Sequence, residues 1–332
     1  MKPFVSVVTP VYNGADFLAE CMESVLRQTY DNFEYIVVNN CSTDGTLDIA
    51  LAYARKDSRV RVHSNETFVG VIENHNIAFR QISSNSKYCK VVSADDWLFP
   101  DCLAKMTDLA EAHPSVGIIG SYQLSGGGSH WKNWRVRWDE IPYPSTVISG
   151  REIGRSQFLD STYVFGTPTS ILYRTDLVRA EDSFYPNSTA EADTSACYKY
   201  LRNCDFGFVH QVLSYERVHE VRQTTTSLLR NAYLSSLLSD LITYGPYYMT
   251  EVELSKRRRV LLRDYYRFLA VGVVNFRNAD FWRYHRKRLK ELGYPFSFFA
   301  LIWAILAKTS DLVLNPKSTV ERILRRFSTR RS

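Results

Sequence analysis

Two adjacent aspartates, Asp95 and Asp96, end the run Tyr88-Cys89-Lys90-Val91-Val92-Ser93-Ala94-Asp95-Asp96. Neighbouring carboxylates repel one another, and a hard divalent cation is the usual partner that makes such a pair tolerable. The plainer alternative is a helix cap beside a solvated acid, because Pro100 opens a helix-like segment just beyond. Tyr88 to Val92 is short, apolar and β-branched, the pattern of a buried strand. In a parallel α/β sheet, ligands collect at the carboxyl ends of strands, and that is where this pair would sit. The stretch alone leaves metal site and cap both open.

Two loops supply further polar groups at expected strand ends. Thr9-Pro10-Val11-Tyr12-Asn13-Gly14 lacks the GxGxxG of a dinucleotide site, and no Walker Gly-Lys-Ser/Thr occurs. Asn39-Asn40-Cys41-Ser42-Thr43-Asp44-Gly45 offers amides, hydroxyls and a carboxylate, which suit a base and ribose better than a phosphate. Three such loops at successive strand ends, the last one acidic, form a constellation that none of them makes alone.

Around these loops, strand and helix alternate. Strands are expected at Phe4 to Thr9, Glu34 to Asn39, Arg59 to His63, Tyr88 to Val92 and Val116 to Tyr122. Between them the apolar spacing predicts helices from about Asp16 to Gln28, over Thr46 to Arg55, Val71 to Ile82 and Asp101 to His113, with Asp44 capping the second. That alternation predicts an α/β fold with a doubly wound, mostly parallel sheet. The regularity breaks at Gly126-Gly127-Gly128, after which Trp131, Trp134 and Trp138 alternate with Lys132, Arg135 and Arg137. An exposed hairpin packing its aromatics inward explains that run better than a stacking platform. Ile171 to Tyr173 and Phe206 to Val212 are expected strands, Glu191-Ala192-Asp193 opens a helix, and from about Thr226 the pattern is helical. The expected division is 1–225 (halves 1–123 and 124–225) and a basic helical region, 226–332.

At 332 residues, 45% apolar and 23% charged, the chain is composed like an ordinary soluble protein with a large core. Its net charge of +6 conceals an asymmetry: residues 256–332 hold 19 Lys and Arg against 5 Asp and Glu, a net of +14, leaving −8 for the first 255. A basic tail on an acidic body points to an anionic partner. The six cysteines form no CxxC pair and are expected as reduced core residues without a zinc site. The first residues lack a signal-peptide pattern, and no apolar run reaches the ~18–20 residues of a spanning helix.

Several of these pieces together resemble the family 2 glycosyltransferases of the GT-A fold. They are Val7-Val8-Thr9-Pro10-Val11-Tyr12-Asn13-Gly14, Ser24-Val25-Leu26-Arg27-Gln28-Thr29, Val37-Val38-Asn39-Asn40-Cys41-Ser42-Thr43-Asp44-Gly45-Thr46, Ser93-Ala94-Asp95-Asp96-Trp97 and Glu191-Ala192-Asp193. The resemblance spans roughly 4–220 and leaves the C-terminal third outside. It implies a GT-A-type sheet and an inverting transfer from a nucleotide-sugar donor, UDP- or dTDP-linked, to a glycan or lipid-linked acceptor in surface polysaccharide assembly. It implies Mn²⁺ or Mg²⁺ on Asp95, with Asp96 as its neighbour, and Asp193 as the base; His219, just past the last expected strand, is a further candidate for the metal or the diphosphate. Thr9, Pro10, Tyr12, Asn13, Asn39, Ser42, Asp44, Asp95 and Arg217 are the expected donor contacts, Arg217 clamping the diphosphate. Glu191, Thr167 and Ser170 are the expected acceptor-side residues. Two positions depart from the family: Asn39 and Ser93 stand where it usually has Asp. Asn39 keeps a donor and an acceptor for uracil or thymine but loses the charge.

A binding or scaffold protein without turnover is the main competing class, and retention of Asp95 and Asp193 argues against it. Nucleic-acid binding rests on charge alone and is not expected. Phe298, Phe299, Trp303 and Ile305 amid the basic residues suit an anionic membrane surface better, with Val320, Arg322, Ile323, Leu324, Arg325, Arg326 and Phe327 continuing the pattern. The expected location is cytoplasmic, peripheral on the inner face of the membrane through 256–332.

Overall fold

Runs of Val, Ile and Tyr with no polar alternation make the first strands, and they are buried on both faces. In the structure, a computed structural model, these are β1 (Val5–Val11) and β2 (Phe33–Asn39), with β3 (Val60–Ser64) at the edge. Residues 2–127, 135–137, 141, 143–144, 146–160, 164–186, 189, 191–218 and 232–314 are described. Trp131, Lys132, Trp134, Trp138 and Val320 to Phe327 lie outside them. Helices α1 (Ala15–Leu26), α2 (Thr46–Lys56), α3 (Val71–Arg80) and α4 (Cys102–Ala112) connect the first strands. α1 turns Leu18, Cys21, Met22 and Val25 into the core, at the helical spacing visible in the sequence.

The strand order is β3-β2-β1-β4-β9-β6-β10-β5, where β4 is Tyr88–Val91, β5 Trp97–Leu98, β6 Val116–Gly126, β9 Ile171–Arg174 and β10 Asp205–Arg217. The first four strands in this order run parallel, but β9 enters antiparallel to both β4 and β6. The sheet is therefore mixed beyond β4. β4 has a parallel neighbour on one side and an antiparallel one on the other, and at such a switch the following loop opens into a crevice. That loop carries Ser93 to Asp96. The strand β7 (Arg135–Arg137) pairs antiparallel with β6, and β8 (Val147–Ile148) with β10.

β10 is longer than Phe206 to Val212. Register shifts between Val209 and Ser214 break its alternation, yet the strand continues to Arg217 and pairs there with both β6 and β5. Around this sheet pack α5 (Gly150–Asp160), the short α6 (Thr175–Val178) and α7 (Ala192–Leu201). Asn76 of α3 clamps the approach to α7: its amide donates to the Tyr185 carbonyl at 3.2 Å and accepts from the Tyr185 amide at 2.9 Å.

The chain divides into two compact units, residues 1–225 with 247–249, and 226–246 with 250–332. In the second unit the described helices are α8 (Tyr233–Thr243), α9 (Glu251–Val274), α10 (Ala279–Glu291) and α11 (Phe298–Leu314). A capping box fixes the start of α9: the Glu253 amide donates to the Thr250 hydroxyl and the Thr250 amide to the Glu253 carboxylate. α10 packs Phe281, His285 and Leu289 inward, with His285 Nδ1 2.7 Å from the Tyr265 hydroxyl. Among the described residues no helix is long and apolar enough to cross a membrane.

Candidate active site

At the carboxyl end of β4, Asp96 is buried and Asp95 partly exposed. Asp96 spends both oxygens inside the protein: Oδ2 accepts from Thr169 Oγ1 at 2.7 Å and Oδ1 from the Arg217 amide at 3.0 Å. Thr169 Oγ1 also accepts from the Ser93 amide at 3.0 Å. The Thr169 carbonyl in turn accepts from Lys90 Nζ at 2.7 Å, as does the Ile171 carbonyl at 3.1 Å. Lys90 is fully buried, and burial lowers its ammonium pKa. Asp96 thus anchors the loop, and Asp95 is the carboxylate that stays accessible. Of the expected metal ligands, His219 lies outside the described residues.

Arg217 reaches the same loop from the far end of β10. Its Nε donates to the Asp95 carbonyl at 3.1 Å, its guanidinium pairs with Glu20, and it lies 4.8 Å from the Phe17 ring centre and 5.3 Å from that of Trp97. Trp97 stacks on Tyr215 with centroids 3.6 Å apart. The expected diphosphate clamp is therefore also a brace for the acidic loop.

The loops after β1 and β2 are stitched together. Asn13 donates its amide to Ser42 Oγ at 2.9 Å and accepts from the Thr43 amide at 2.8 Å. Asp44 accepts from the Ala15 amide at 3.1 Å and the Thr46 amide at 3.0 Å, holding the first turns of α1 and α2 at once. Burial raises the pKa of its carboxyl, but the bond from the Thr46 hydroxyl, followed by those from the two amides, outweighs it and holds the group below the usual range. Asn13 and Cys41 both sit at positive φ, 49° and 56°, so each loop carries one strained residue. A Cβ on Gly14 would lie 3.5 Å from Ala94 Cβ, which places the β1 loop against the acidic loop.

Some expected donor contacts face elsewhere. Thr9 and Pro10 are buried in β1, and the Thr9 hydroxyl is 2.9 Å from that of Tyr35. Asn39 is buried, its Oδ1 accepting from the Ser42 amide at 3.2 Å and its Nδ2 donating to Ser64 at 3.4 Å. It shapes the loop. Tyr12, in contrast, is exposed and meets Phe68 edge-on, ring centres 4.8 Å apart. Phe68 was not among the residues singled out from the sequence. Its loop is held by Asn40, which pairs with both the amide and the carbonyl of Val69 at 3.0 and 2.8 Å.

Asp193 lies in the first turn of α7, a helix that packs against β6 and α5, and is buried. Burial, with the charge of Glu191 adding to it, pushes its carboxyl up to about 7, against a stabilising bond from the Thr194 amide at 2.8 Å. Glu191 Oε2 is buried without a hydrogen-bond partner among the described residues. Thr167 is half-buried and bonds Gln123, and Ser170 is buried, its hydroxyl donating to the Thr167 carbonyl at 2.9 Å. Thr169, between them, carries the link to the acidic pair. Its signal lies in the Gly166-Thr167-Pro168-Thr169-Ser170 run, where no local pattern distinguishes among three hydroxyls.

Residues 6–180, more than half of the chain, match the family model described as Glycosyl transferase family 2. The chain belongs to that family. It is 32% identical over 246 residues to the glycosyltransferase GlyG of Streptococcus pneumoniae, covering 73% of this chain and 78% of that one. It is also 36% identical over 123 residues to a putative teichuronic acid biosynthesis glycosyltransferase, TuaG of Bacillus subtilis, covering 37% and 48%. Among solved structures, residues 1–349 of TarS from S. aureus, in complex with UDP-GlcNAc, superpose with a TM-score of 0.63 at 18% identity, over 87% of this chain and 80% of that one. A mannosyltransferase from Pyrobaculum calidifontis, in complex with GDP-Man and Mn²⁺, gives 0.55 at 17%, over 96% and 83%. The fold is that of GT-A glycosyltransferases, and the chain is a glycosyltransferase.

Proposed function

We propose that this glycosyltransferase moves a sugar with inversion from a UDP- or dTDP-linked donor to a hydroxyl of a glycan or lipid-linked acceptor, in assembly of a surface polysaccharide. The observation that carries the reading is Asp193: a buried carboxyl at a helix start, with its pKa pushed up to about 7. A general base works best when its pKa lies near the working pH. In the reaction, the acceptor hydroxyl gives its proton to the Asp193 carboxylate as its oxygen bonds to the anomeric carbon. The bond from that carbon to the diphosphate breaks on the opposite face, and the nucleoside diphosphate leaves with the electron pair. One displacement and one base give inversion without a covalent intermediate.

The acidic loop fits a hard divalent ion. Among the described residues no group of three or more His, Cys, Asp or Glu forms a complete cage. Mg²⁺-type sites commonly use one or two carboxylates together with substrate phosphates, and Asp95 is placed to supply the protein's share. A Mn²⁺ or Mg²⁺ ion held by Asp95 would supply charge neutralisation for the departing diphosphate. Asp96, Thr169 and Arg217 hold the loop so that Asp95 keeps its position. Tyr12 and Phe68 offer apolar faces to the base, while Asn13, Ser42 and Asp44 keep the adjoining loops in place.

The setting is supported by relatives such as the putative teichuronic acid enzyme, and by a basic C-terminal region suited to a cytoplasmic enzyme working at the membrane. The experiment is turnover of UDP-sugars with Mn²⁺, comparing wild type with Asp193→Asn and reading the product's anomeric configuration by NMR. An inverted product, made by wild type and lost in the variant, supports the proposal. A retained configuration overturns it.

A further inference from the structure

We propose that α10 and the first half of α11 form one docking face for an anionic lipid bilayer. α11 packs Leu301 and Ala304 inward, as an amphipathic helix should. Its other side is not polar. Phe298, Phe299, Ile302 and Trp303 are all exposed there, Phe299 at 87% and Trp303 at 74%. Side chains three and four apart share a helix face, so Phe299, Ile302 and Trp303 form one patch. A contiguous apolar patch rimmed by charge marks an interaction site.

The rim is basic. On α10, Arg283, Arg286 and Lys290 follow at spacings of three and four, all exposed. Arg286 ties that row to the aromatics, lying 5.1 Å from the ring centre of Phe296 and 5.5 Å from that of Phe298. Aromatic rings beside a cationic row match the acyl-to-headgroup boundary, where rings bury and guanidinium groups meet phosphates. The net of +14 over 256–332 gives the same sign at longer range. A second copy of this chain fits less well, because a two-fold contact would set the two basic rows near each other.

The proposal rests on the glycosyltransferase reading only for its purpose, which is access to a lipid-linked acceptor. Its test needs no turnover. Full-length protein is floated with phosphatidylcholine vesicles, with and without phosphatidylglycerol. Binding is expected only with the anionic lipid and should be lost in high salt. The double variant Phe299→Glu, Trp303→Glu, at exposed positions, should lose binding. Arg283→Glu with Lys290→Glu should weaken it by at least about tenfold, from the ~1 kcal/mol that each basic residue contributes near an anionic surface. Asp193→Asn should float like wild type, which separates failure of the catalytic reading from failure of this one. Absence of wild-type binding, or equal binding by the Phe299/Trp303 variant, overturns the proposal. So does a solution dimer that the same variant dissociates, which would make the face a self-interface.

Discussion

Thr169 Oγ1 donates to Asp96 Oδ2 across 2.7 Å, joining the lead-in to β9 to the acidic loop after β4. The bond crosses the point where the sheet turns from parallel to antiparallel. Lys90 holds the Thr169 carbonyl from within the core, so a buried ammonium, a hydroxyl and a carboxylate form one chain ending beside Asp95. Groups that orient a metal ligand typically matter about 10–100-fold to metal affinity. Thr169→Val should therefore weaken Mn²⁺-dependent donor binding by about tenfold or more, while Thr169→Ser keeps most of it. Titration calorimetry with UDP and Mn²⁺ checks this, and equal affinities for Val and wild type would remove Thr169 from the argument.

Asp95→Ala should abolish the effect of divalent ions on donor binding. Asp95 is the accessible carboxylate of the pair, and Asp96 already has both oxygens engaged. Thermal shifts with a panel of nucleotide sugars, with Mn²⁺ or with EDTA, report it, since a ligand that binds the native state raises the melting temperature. A wild-type shift that survives EDTA would count against the metal.

Asp193 carries two linked expectations. As a base it acts deprotonated, so kcat/KM should fall below about pH 7, by about tenfold per unit at the acid limb. Asp193→Asn should lower transfer by ~10²-fold or more at pH 8, while the donor still binds. Glu191→Gln removes a neighbouring charge, so the acid limb should move to lower pH. For stability, the native carboxyl holds its proton to about 7 while the ordinary value is 3.8. The native state then binds more protons between those values, and stability is lost as pH rises through that window. Asp193→Asn should thus melt higher than wild type above pH 7, with the advantage gone below about pH 4. Loss of activity together with a lower melting temperature at pH 8 would indicate a damaged fold instead.

The sequence carried the parallel half of the sheet clearly. β1, β2 and β4 are mostly apolar, interrupted by Ser6 and Thr9, by Glu34 and Asn39, and by Lys90, and helices with apolar residues at 3.6 spacing separate them. β10 was legible only to Val212, because its bulges destroy the period on which such reading depends. The polar Ser214 to Arg217 look like loop, yet they pair with β6 and β5. Motifs single out Asp95 and Asp193 as candidates, because few residue types serve a cation or a base. Which hydroxyl of 167–170 reaches Asp96, and which aromatic meets Tyr12, depends on contacts between distant segments. No local pattern contains them. Thr9 and Asn39 show the converse: motif residues that the fold turns inward, where Thr9 joins β1 to Tyr35 of β2 and Asn39 holds the loop after β2.

Phe68 is an aromatic that no local sequence pattern marks. Phe68 is 60% exposed and Tyr12 36%, an unusual exposure for two rings already in edge contact. Asn40 clamps the neighbouring Val69 through both backbone groups, and Asn65 donates to Asn40 Oδ1 at 3.0 Å and to Asn74 at 2.9 Å. The loop is thus held from below while its ring stands in solvent. Stacking a base on an aromatic ring is worth ~1–3 kcal/mol by alanine substitution. Phe68→Ala should therefore weaken UDP binding by about 5- to 150-fold with little change in melting temperature, since little apolar surface is released. Tyr12→Ala should behave alike, and the double variant should fall short of additivity because the rings touch. Stacking reads a ring and not its edge, and Asn39 has both amide ends engaged, by the Ser42 amide and by Ser64 of β3, so UDP and dTDP should bind with similar affinity. UDP affinity unchanged by Phe68→Ala would move the base away from this pair.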